Sequence, residues 1–226
     1  MSQAQIINYR GRKASRTGSE QRRKAILEAS LRIVVKDGVR GVRHRAVAKE
    51  AGVPLSATTY YFKDISDLIA DTFALFVEKQ MSELVDPAFK EATQFLEQNK
   101  DKIKGDSSFI DQAIESIAQI IVSFIKAELS VGRDQLLAEQ AFRHECLRDD
   151  GLKAIAQAYF DYLLNHMIEL AKLVDIEQPD LAGEILIGTI YQIEHEGLMV
   201  SVGDFDEDKA LSLIRCILHG ISPSSG

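Results

Sequence analysis

The sequence predicts an all-α protein in which a small, basic N-terminal region of three helices precedes a larger, acidic helical region. Apolar residues recur at helical spacing along most of the chain, and no window alternates polar and apolar residues as a half-buried strand does. Charge is divided unevenly: residues 1–63 hold 14 Lys or Arg against four Asp or Glu, a net charge of +10, and the other residues carry −17. This division indicates a polyanionic partner for the basic end.

The chain begins with a basic, aperiodic stretch, residues 1–18, in which we expect a flexible arm. The first helix is expected to begin near Ser19, whose hydroxyl can cap it. Gly38 is expected to end that helix, since glycine readily adopts the left-handed conformation that follows a helix.

Two short helices, at about residues 45–51 and 55–61, are expected in the stretch RAVAKEAGVPLSATTYYF. Gly52 ends the first of them where only glycine turns cheaply. Pro54 suits the start of the second, because a first turn does not need the N–H that proline lacks. Two short helices joined by a glycine turn predict a helix-turn-helix, and residues 19–64 are therefore assigned to one domain.

The second domain, residues 65–226, is expected to be helical throughout. Asp64 resembles the cap of a longer fourth helix that runs to about Leu84. Further helices are expected at about residues 109–129, 133–148, 151–174, 179–201 and 206–219, which gives nine or ten helices in all.

The composition argues against several classes of protein. An apolar fraction of 46% suits a sizeable core, but no apolar run approaches the roughly 18 residues that span a bilayer. The N-terminus lacks the apolar core of a signal peptide, so a cytoplasmic location is expected. Cys146 and Cys216 are interpreted as small, half-buried apolar residues, not as a disulfide or a metal site. A glycine-rich phosphate loop, CxxC, His-x-x-x-His and inward Glu-x-x-His pairs are missing from the sequence, which argues against an enzyme, a metal site and a bound cofactor.

The motif order resembles the TetR family of bacterial transcriptional regulators: RRKAILEASLRIVVKDG, then GVRHRAVAKEAGV, TTYYF and DLI. The resemblance covers about residues 20–70. It implies a homodimer whose N-terminal heads bind a palindromic DNA operator, and a C-terminal domain that binds a small effector and dimerises through its last two helices. Effector binding then releases DNA, which describes a repressor. The sequence departs from the family at the start of the second helix, where Arg43 and His44 replace the usual Thr or Ser.

The resemblance implies that the third helix reads DNA. Its first turn would present Leu55, Ser56, Ala57 and Thr58 to base edges, with Thr59 beside them. Tyr60, Tyr61 and Lys63 suit phosphate contacts, although one tyrosine of the adjacent pair is as readily a core residue. Arg43, His44 and Arg45 form a phosphate clamp at the second helix. The arm adds basic residues that favour a minor groove over solvent: Arg10, Arg12, Lys13 and Arg16.

Effector contacts are expected from polar residues that interrupt apolar helices: His144, Tyr159, Tyr162, His166, Gln192 and His195. For each of them a place in the core or in the dimer seam is the competing interpretation. Phe109, Ile117 and Phe124 indicate an apolar pocket, and hence a hydrophobic or amphipathic effector. A second interpretation of the chain is a helical adaptor whose basic head binds an acidic protein or a membrane. A membrane partner is disfavoured because no basic helix carries bulky apolar residues on its opposite face.

Overall fold

The computed structural model describes residues 9–12, 17–105 and 107–221 of the chain. Within these ranges it contains ten α-helices and no β-strand, so the all-α prediction is confirmed. The helices are α1 (Thr17–Asp37), α2 (His44–Ala51), α3 (Leu55–Tyr61), α4 (Ile65–Gln80), α5 (Asp86–Gly105), α6 (Ser107–Ser130), α7 (Arg133–Cys146), α8 (Asp150–Leu173), α9 (Pro179–Leu198) and α10 (Glu207–Ile221). A π-helical turn, Met81–Val85, joins α4 to α5, so the fourth helix ends a little before the predicted Leu84.

The chain divides into two compact units, and each combines two stretches of sequence. Unit 1 comprises residues 1–84 and 137–160, and unit 2 comprises residues 85–136 and 161–226. Helix α4 groups with the N-terminal helices because it packs against α1. The functional division after residue 64 stays a prediction.

Local backbone signals shape the start of unit 1. Helix α1 ends at Asp37, and Gly38 follows with φ 72° and ψ 175°, a positive φ that favours glycine, so the predicted end of the helix is confirmed. Asp64 caps α4 as predicted, since its carboxylate accepts a hydrogen bond from Ser66 N at 3.0 Å. Helix α1 begins at Thr17, close to the start predicted near Ser19, but Ser19 lies inside the helix and does not cap it. Its hydroxyl instead lies 2.8 Å from the hydroxyl of Tyr61.

Aromatic side chains pack α4 against α7 in unit 1. Phe73 of α4 stacks on Phe142 of α7 with ring centroids 4.5 Å apart, and Phe76 lies 5.7 Å from the same ring. All three rings are buried. Such pairs add about 0.5–1.5 kcal/mol each beyond the burial of their surface.

The core of unit 2 forms where α6 packs against α9 and α10. It is built from aliphatic side chains of these helices: Ile114, Val122, Ile125, Leu129, Leu186, Ile193, Ile214 and Leu218. Gly197 allows α9 to approach α6, because a Cβ at this position would lie 2.4 Å from Leu129 Cδ1. The small residue therefore serves packing inside the unit.

The two cysteines have different environments. Cys146 is buried. The pKa of its thiol is raised to about 11, mainly by burial and to a lesser extent by the negative charge of the nearby Asp149. Cys216 is exposed on α10. Cys146 therefore behaves as the small apolar residue that was predicted, whereas Cys216 lies at the surface.

None of the helices in the described part of the chain has the length and apolar character that crossing a membrane requires.

Candidate nucleic-acid interface

Helices α2 and α3 form a helix-turn-helix around one left-handed glycine. Gly52 follows α2 with φ 65° and ψ 31°, and the N–H groups of Gly52 and Val53 bond back to the carbonyls of Lys49 and Ala48. Pro54 then has φ −60° and immediately precedes α3, where its carbonyl accepts a bond from Ala57 N. These are the backbone conformations that the sequence predicted for both residues.

Helix α3 has one exposed side and one buried side. Leu55, Ser56, Thr59 and Tyr60 are exposed, and Lys63 continues this surface beyond the end of the helix. Ala57 is half-buried between the two sides. Leu55 and Tyr60 are large and partly apolar, and Tyr60 keeps 51% of its surface exposed. A short helix that presents such residues from a basic domain is suited to a DNA groove.

Two predicted contacts, Thr58 and Tyr61, are corrected because both side chains point into the head. Thr58 has no exposed surface, and its hydroxyl donates to Leu55 O at 2.8 Å. Tyr61 is buried and its hydroxyl is paired with Ser19. Tyr60 and Tyr61 meet edge to face at 5.1 Å, so of the adjacent pair Tyr61 is the core residue and Tyr60 the surface residue.

The start of α2 carries the predicted basic residues. Arg43 and Arg45 are exposed, and no side chain caps the first turn. A helix N-terminus with unbonded N–H groups and flanking arginines attracts phosphate. His44 is half-buried, and its Nδ1 is buried without a hydrogen-bond partner.

The arm differs from the prediction where the structure describes it. Residues 9–12 are docked on unit 1: the N–H groups of Arg10 and Gly11 donate to the carboxylate of Asp71 in α4, at 2.6 and 3.0 Å. Lys13 and Arg16 lie outside the described residues. Sequence reasoning missed Asp71, although an acidic residue within the apolar run LIADTFALFV was a signal that it needs a buried partner.

Unit 2 brings two of the predicted effector residues together. His166 lies face to face with Phe89 at 4.7 Å and edge to face with Tyr162 at 4.6 Å. The Tyr162 hydroxyl donates to the carboxylate of Asp86, which lies 4.0 Å from His166 Nε2. We call these four residues the Asp86 cluster. Asp86 and Phe89 were missed, because nothing local in the sequence connects residues separated by more than 70 positions.

One polar atom of the Asp86 cluster is buried without a hydrogen bond. His166 Nε2 is buried and has no hydrogen-bond partner. Desolvation lowers the pKa of His166, opposed by the charge of Asp86, so the imidazole is largely neutral near pH 7.

The other predicted effector residues lie elsewhere. His144 is exposed on α7 with Nε2 2.7 Å from a guanidinium nitrogen of Arg148, and Tyr159 is buried in unit 1. Gln192 and His195 are exposed on α9, where the Gln192 amide donates to Glu196. The structure does not bring these four residues into the Asp86 cluster.

Known proteins resemble the chain in two ways. A stretch of 72 residues is 38% identical to the HTH-type transcriptional regulator PksA of Bacillus subtilis (strain 168). The match covers 32% of this chain and about a third, 35%, of that protein. No family model matches the sequence.

Solved structures match most of the chain. A TetR-family member from Streptomyces coelicolor A3 has a TM-score of 0.61 at 21% identity, over 87% of this chain and 98% of that one. A transcriptional regulator from Rhodococcus sp. Rha1 has a TM-score of 0.62 at 13% identity, over 88% and 94%. The multidrug binding protein EbrR, complexed with proflavin, has a TM-score of 0.54 at 22% identity, over 87% and 99%.

These matches define the class: an all-helical protein with a helix-turn-helix head and the fold of TetR-family regulators. The resemblance to that family, first drawn from residues 20–70, is confirmed. PksA and the Rhodococcus sp. Rha1 protein are both described as transcriptional regulators.

Proposed function

We propose that the chain is a homodimeric transcriptional repressor that binds a palindromic operator through α3 and is released by a small effector. The observation that carries this proposal is the exposed surface of α3, formed by Leu55, Ser56, Thr59, Tyr60 and Lys63. These five side chains are exposed and do not belong to the buried core of the head. It combines apolar contacts for thymine methyls with hydroxyl and ammonium donors for phosphates.

Selection from random or genomic DNA fragments tests the proposal. The enriched fragments should share a palindrome whose half-sites lie about one helical turn, roughly 34 Å, or a multiple of it apart. Enrichment without a shared palindrome, or capture of anionic vesicles at equal or higher affinity in the same salt, would instead favour the adaptor interpretation.

The dimer is proposed to form through the outer face of α9. Leu181 and Ile185, one turn apart, remain 52% and 47% exposed, while the inner face of the helix is buried against α6 and α10. Large exposed apolar residues in a row are typical of a protein interface. The family resemblance favours a second copy of the chain as the occupant.

Sedimentation velocity tests the dimer with a matched pair of variants. Ile185→Asp should convert the dimer to a monomer, because a charge would be buried without a partner. Val131→Asp, which changes another exposed apolar residue of unit 2, should leave the dimer intact. A wild-type monomer at micromolar concentration, or an Ile185→Asp dimer, would contradict the proposed interface.

The effector is proposed to bind at the Asp86 cluster and to be a flat aromatic molecule with a positive charge. Phe89 and His166 offer stacking faces, and the Asp86 carboxylate lies beside them, 4.0 Å from His166 Nε2. Aromatic faces and a carboxylate together favour an aromatic cation. The likeness in fold to EbrR, solved in complexes with proflavin and with malachite green, supports the same ligand class here.

Titration with proflavin, a fluorescent planar cation, tests the effector site without DNA. Asp86→Asn keeps the shape of the side chain but removes its charge, and should weaken binding roughly tenfold, the equivalent of about 1.4 kcal/mol. Asp111→Asn, at an exposed residue of α6, is the control and should bind as the wild type does. Equal affinity for all three proteins would place the ligand elsewhere.

A further inference from the structure

A buried carboxylate on α4 holds residues 9–12, the described part of the N-terminal arm, against the head. Asp71 has no exposed surface and accepts three hydrogen bonds: from the backbone N–H groups of Arg10 and Gly11, and from Arg23 Nη2 of α1 at 2.7 Å. Removing a carboxylate from water costs several kcal/mol unless such donors replace the water. Asp71 therefore fixes both α1 and the Tyr9–Arg12 segment.

The docked segment leaves no space for a side chain at position 11. A Cβ on Gly11 would lie 2.5 Å from Phe62 Cε1 and 2.9 Å from Asp71 Oδ2, so a larger residue cannot occupy the same place. Phe62 itself is fully buried. On the side of the arm before this glycine, Tyr9 donates through its hydroxyl to Glu78 and packs under the Arg23 guanidinium at 4.6 Å.

Docking of the segment places Arg12 beside α3, the helix that is proposed to read DNA. Arg12 N donates to Tyr61 O at 2.9 Å, and its guanidinium lies 4.4 Å from the centroid of the Tyr60 ring. Arg12 is exposed, and Tyr60 belongs to the exposed surface of α3. A guanidinium held over an exposed aromatic ring keeps its N–H groups available for a phosphate.

We propose that Asp71 is a positioning residue for DNA binding, which holds the Tyr9–Arg12 segment so that Arg12 stands beside Tyr60 as an additional phosphate contact. The inference rests on the proposed function. It differs from the minor-groove arm expected from the sequence, because the contact belongs to a docked segment of the head and is set by a residue that never touches DNA.

The test separates docking of the arm from its use. Gly11→Ala should undock the segment through its clash with Phe62, and Arg12→Ala should remove the contact alone. Each should weaken binding to the selected operator roughly fivefold or more at 0.1 M salt, and each should flatten the dependence of log K on log salt by about two for a dimer that loses two phosphate contacts. The double variant should bind no worse than either single variant, because both remove the same contact. Arg12→Lys should restore the salt slope, since it keeps the charge.

Hydrogen exchange reports docking without reference to DNA. The amides of Arg10 and Gly11 should exchange slowly in the wild type and in Arg12→Ala, and fast in Gly11→Ala and in Asp71→Asn. Fast exchange with unchanged operator affinity and salt slope in Gly11→Ala would overturn the inference, as would losses that add in the double variant. A wild-type protein that bound no operator would overturn the proposed function and this inference with it, whereas a failure of the variants alone overturns only the inference.

Discussion

The two compact units treat a carboxylate near aromatic residues in opposite ways. In unit 1, Asp71 is fully buried, and three hydrogen-bond donors satisfy its carboxylate. In unit 2, Asp86 is partly exposed beside an imidazole whose buried Nε2 has no partner. The difference teaches that the first carboxylate fixes a geometry, as the proposed DNA-reading head requires, whereas the second lies at the surface of the proposed effector site.

The largest expected difference between the two units is the loss of stability when each carboxylate is removed. Asp71→Ala should lower the free energy of unfolding by about 3–5 kcal/mol, because it leaves the buried Arg23 guanidinium with only the exposed Glu20 as an ionic partner. Asp86→Ala should cost less than about 1 kcal/mol, because water reaches that side chain. Urea unfolding of both variants measures the difference. Similar losses at the two sites would contradict the contrast.

Glycines give the next largest effects, for a backbone reason in one unit and a packing reason in the other. Gly52→Ala should cost about 1–2 kcal/mol because of its positive φ, and Gly52→Asn should cost less. Gly197→Ala should cost about 1–3 kcal/mol by overpacking against Leu129. In a Leu129→Ala background that second penalty should vanish, while the penalty at Gly52 should persist. A Gly197→Ala penalty that survives the removal of Leu129 would show that packing is not its cause.

We expect charge to contribute to DNA affinity in the head and not in unit 2. Lys63→Ala should weaken binding to every duplex and flatten the salt slope by about two per dimer. Lys126→Ala, at an exposed lysine of unit 2 paired with Glu207, is the matched control. Fluorescence anisotropy over a range of salt concentrations measures the DNA affinity of both variants. An equal change of the salt slope in the two variants would contradict the assignment of the DNA-binding surface to the head.

Adjacent threonines on α3 separate reading from packing. Thr59→Ala should relax base preference at one operator position by about 1 kcal/mol or less. Thr58→Ala should instead lower stability by about 1 kcal/mol with base preference unchanged, since its hydroxyl is buried on Leu55 O. Binding to a panel of operator variants, paired with urea unfolding, distinguishes the two. Exchanged roles would mean that α3 is rotated in the complex.

The smallest effect concerns pH. Hydrogen bonds from the Ser66 backbone and side chain lower the pKa of Asp64. A lowered pKa means that the cap stabilises α4 above the ordinary carboxyl range, and that this contribution is lost as pH falls through the lowered value. Asp64→Asn should therefore flatten the loss of stability at acid pH and shift the melting temperature near pH 7 by only a few degrees, about 2–4 °C. An unchanged acid profile would show that the cap contributes nothing.

What sequence could predict follows from the range of the interactions. Gly38, Gly52, Pro54 and Asp64 act on their own backbone within a few residues, and all four were predicted correctly. The facing of Thr58 could not be predicted, because a helix of seven residues is too short for periodicity to fix its buried side.

Contacts between distant residues were beyond the sequence. The arm docks on Asp71, some 60 positions away, and Tyr162 meets Asp86 across 76. Neither pairing leaves a spacing pattern, so the arm was expected to be flexible and half of the Asp86 cluster was missed. Both pairings depend on helix packing, which the local sequence does not encode.

The central claim is that two heads read one palindrome through α3. The most direct test measures anisotropy of the selected operator, of its isolated half-site and of a scrambled duplex of equal length, at matched salt. We expect two protomers per operator, affinity at least about a thousandfold above the scrambled duplex, and half-site binding far weaker than binding to the whole site. Equal affinity for the operator and the scrambled duplex at every salt concentration would contradict the claim.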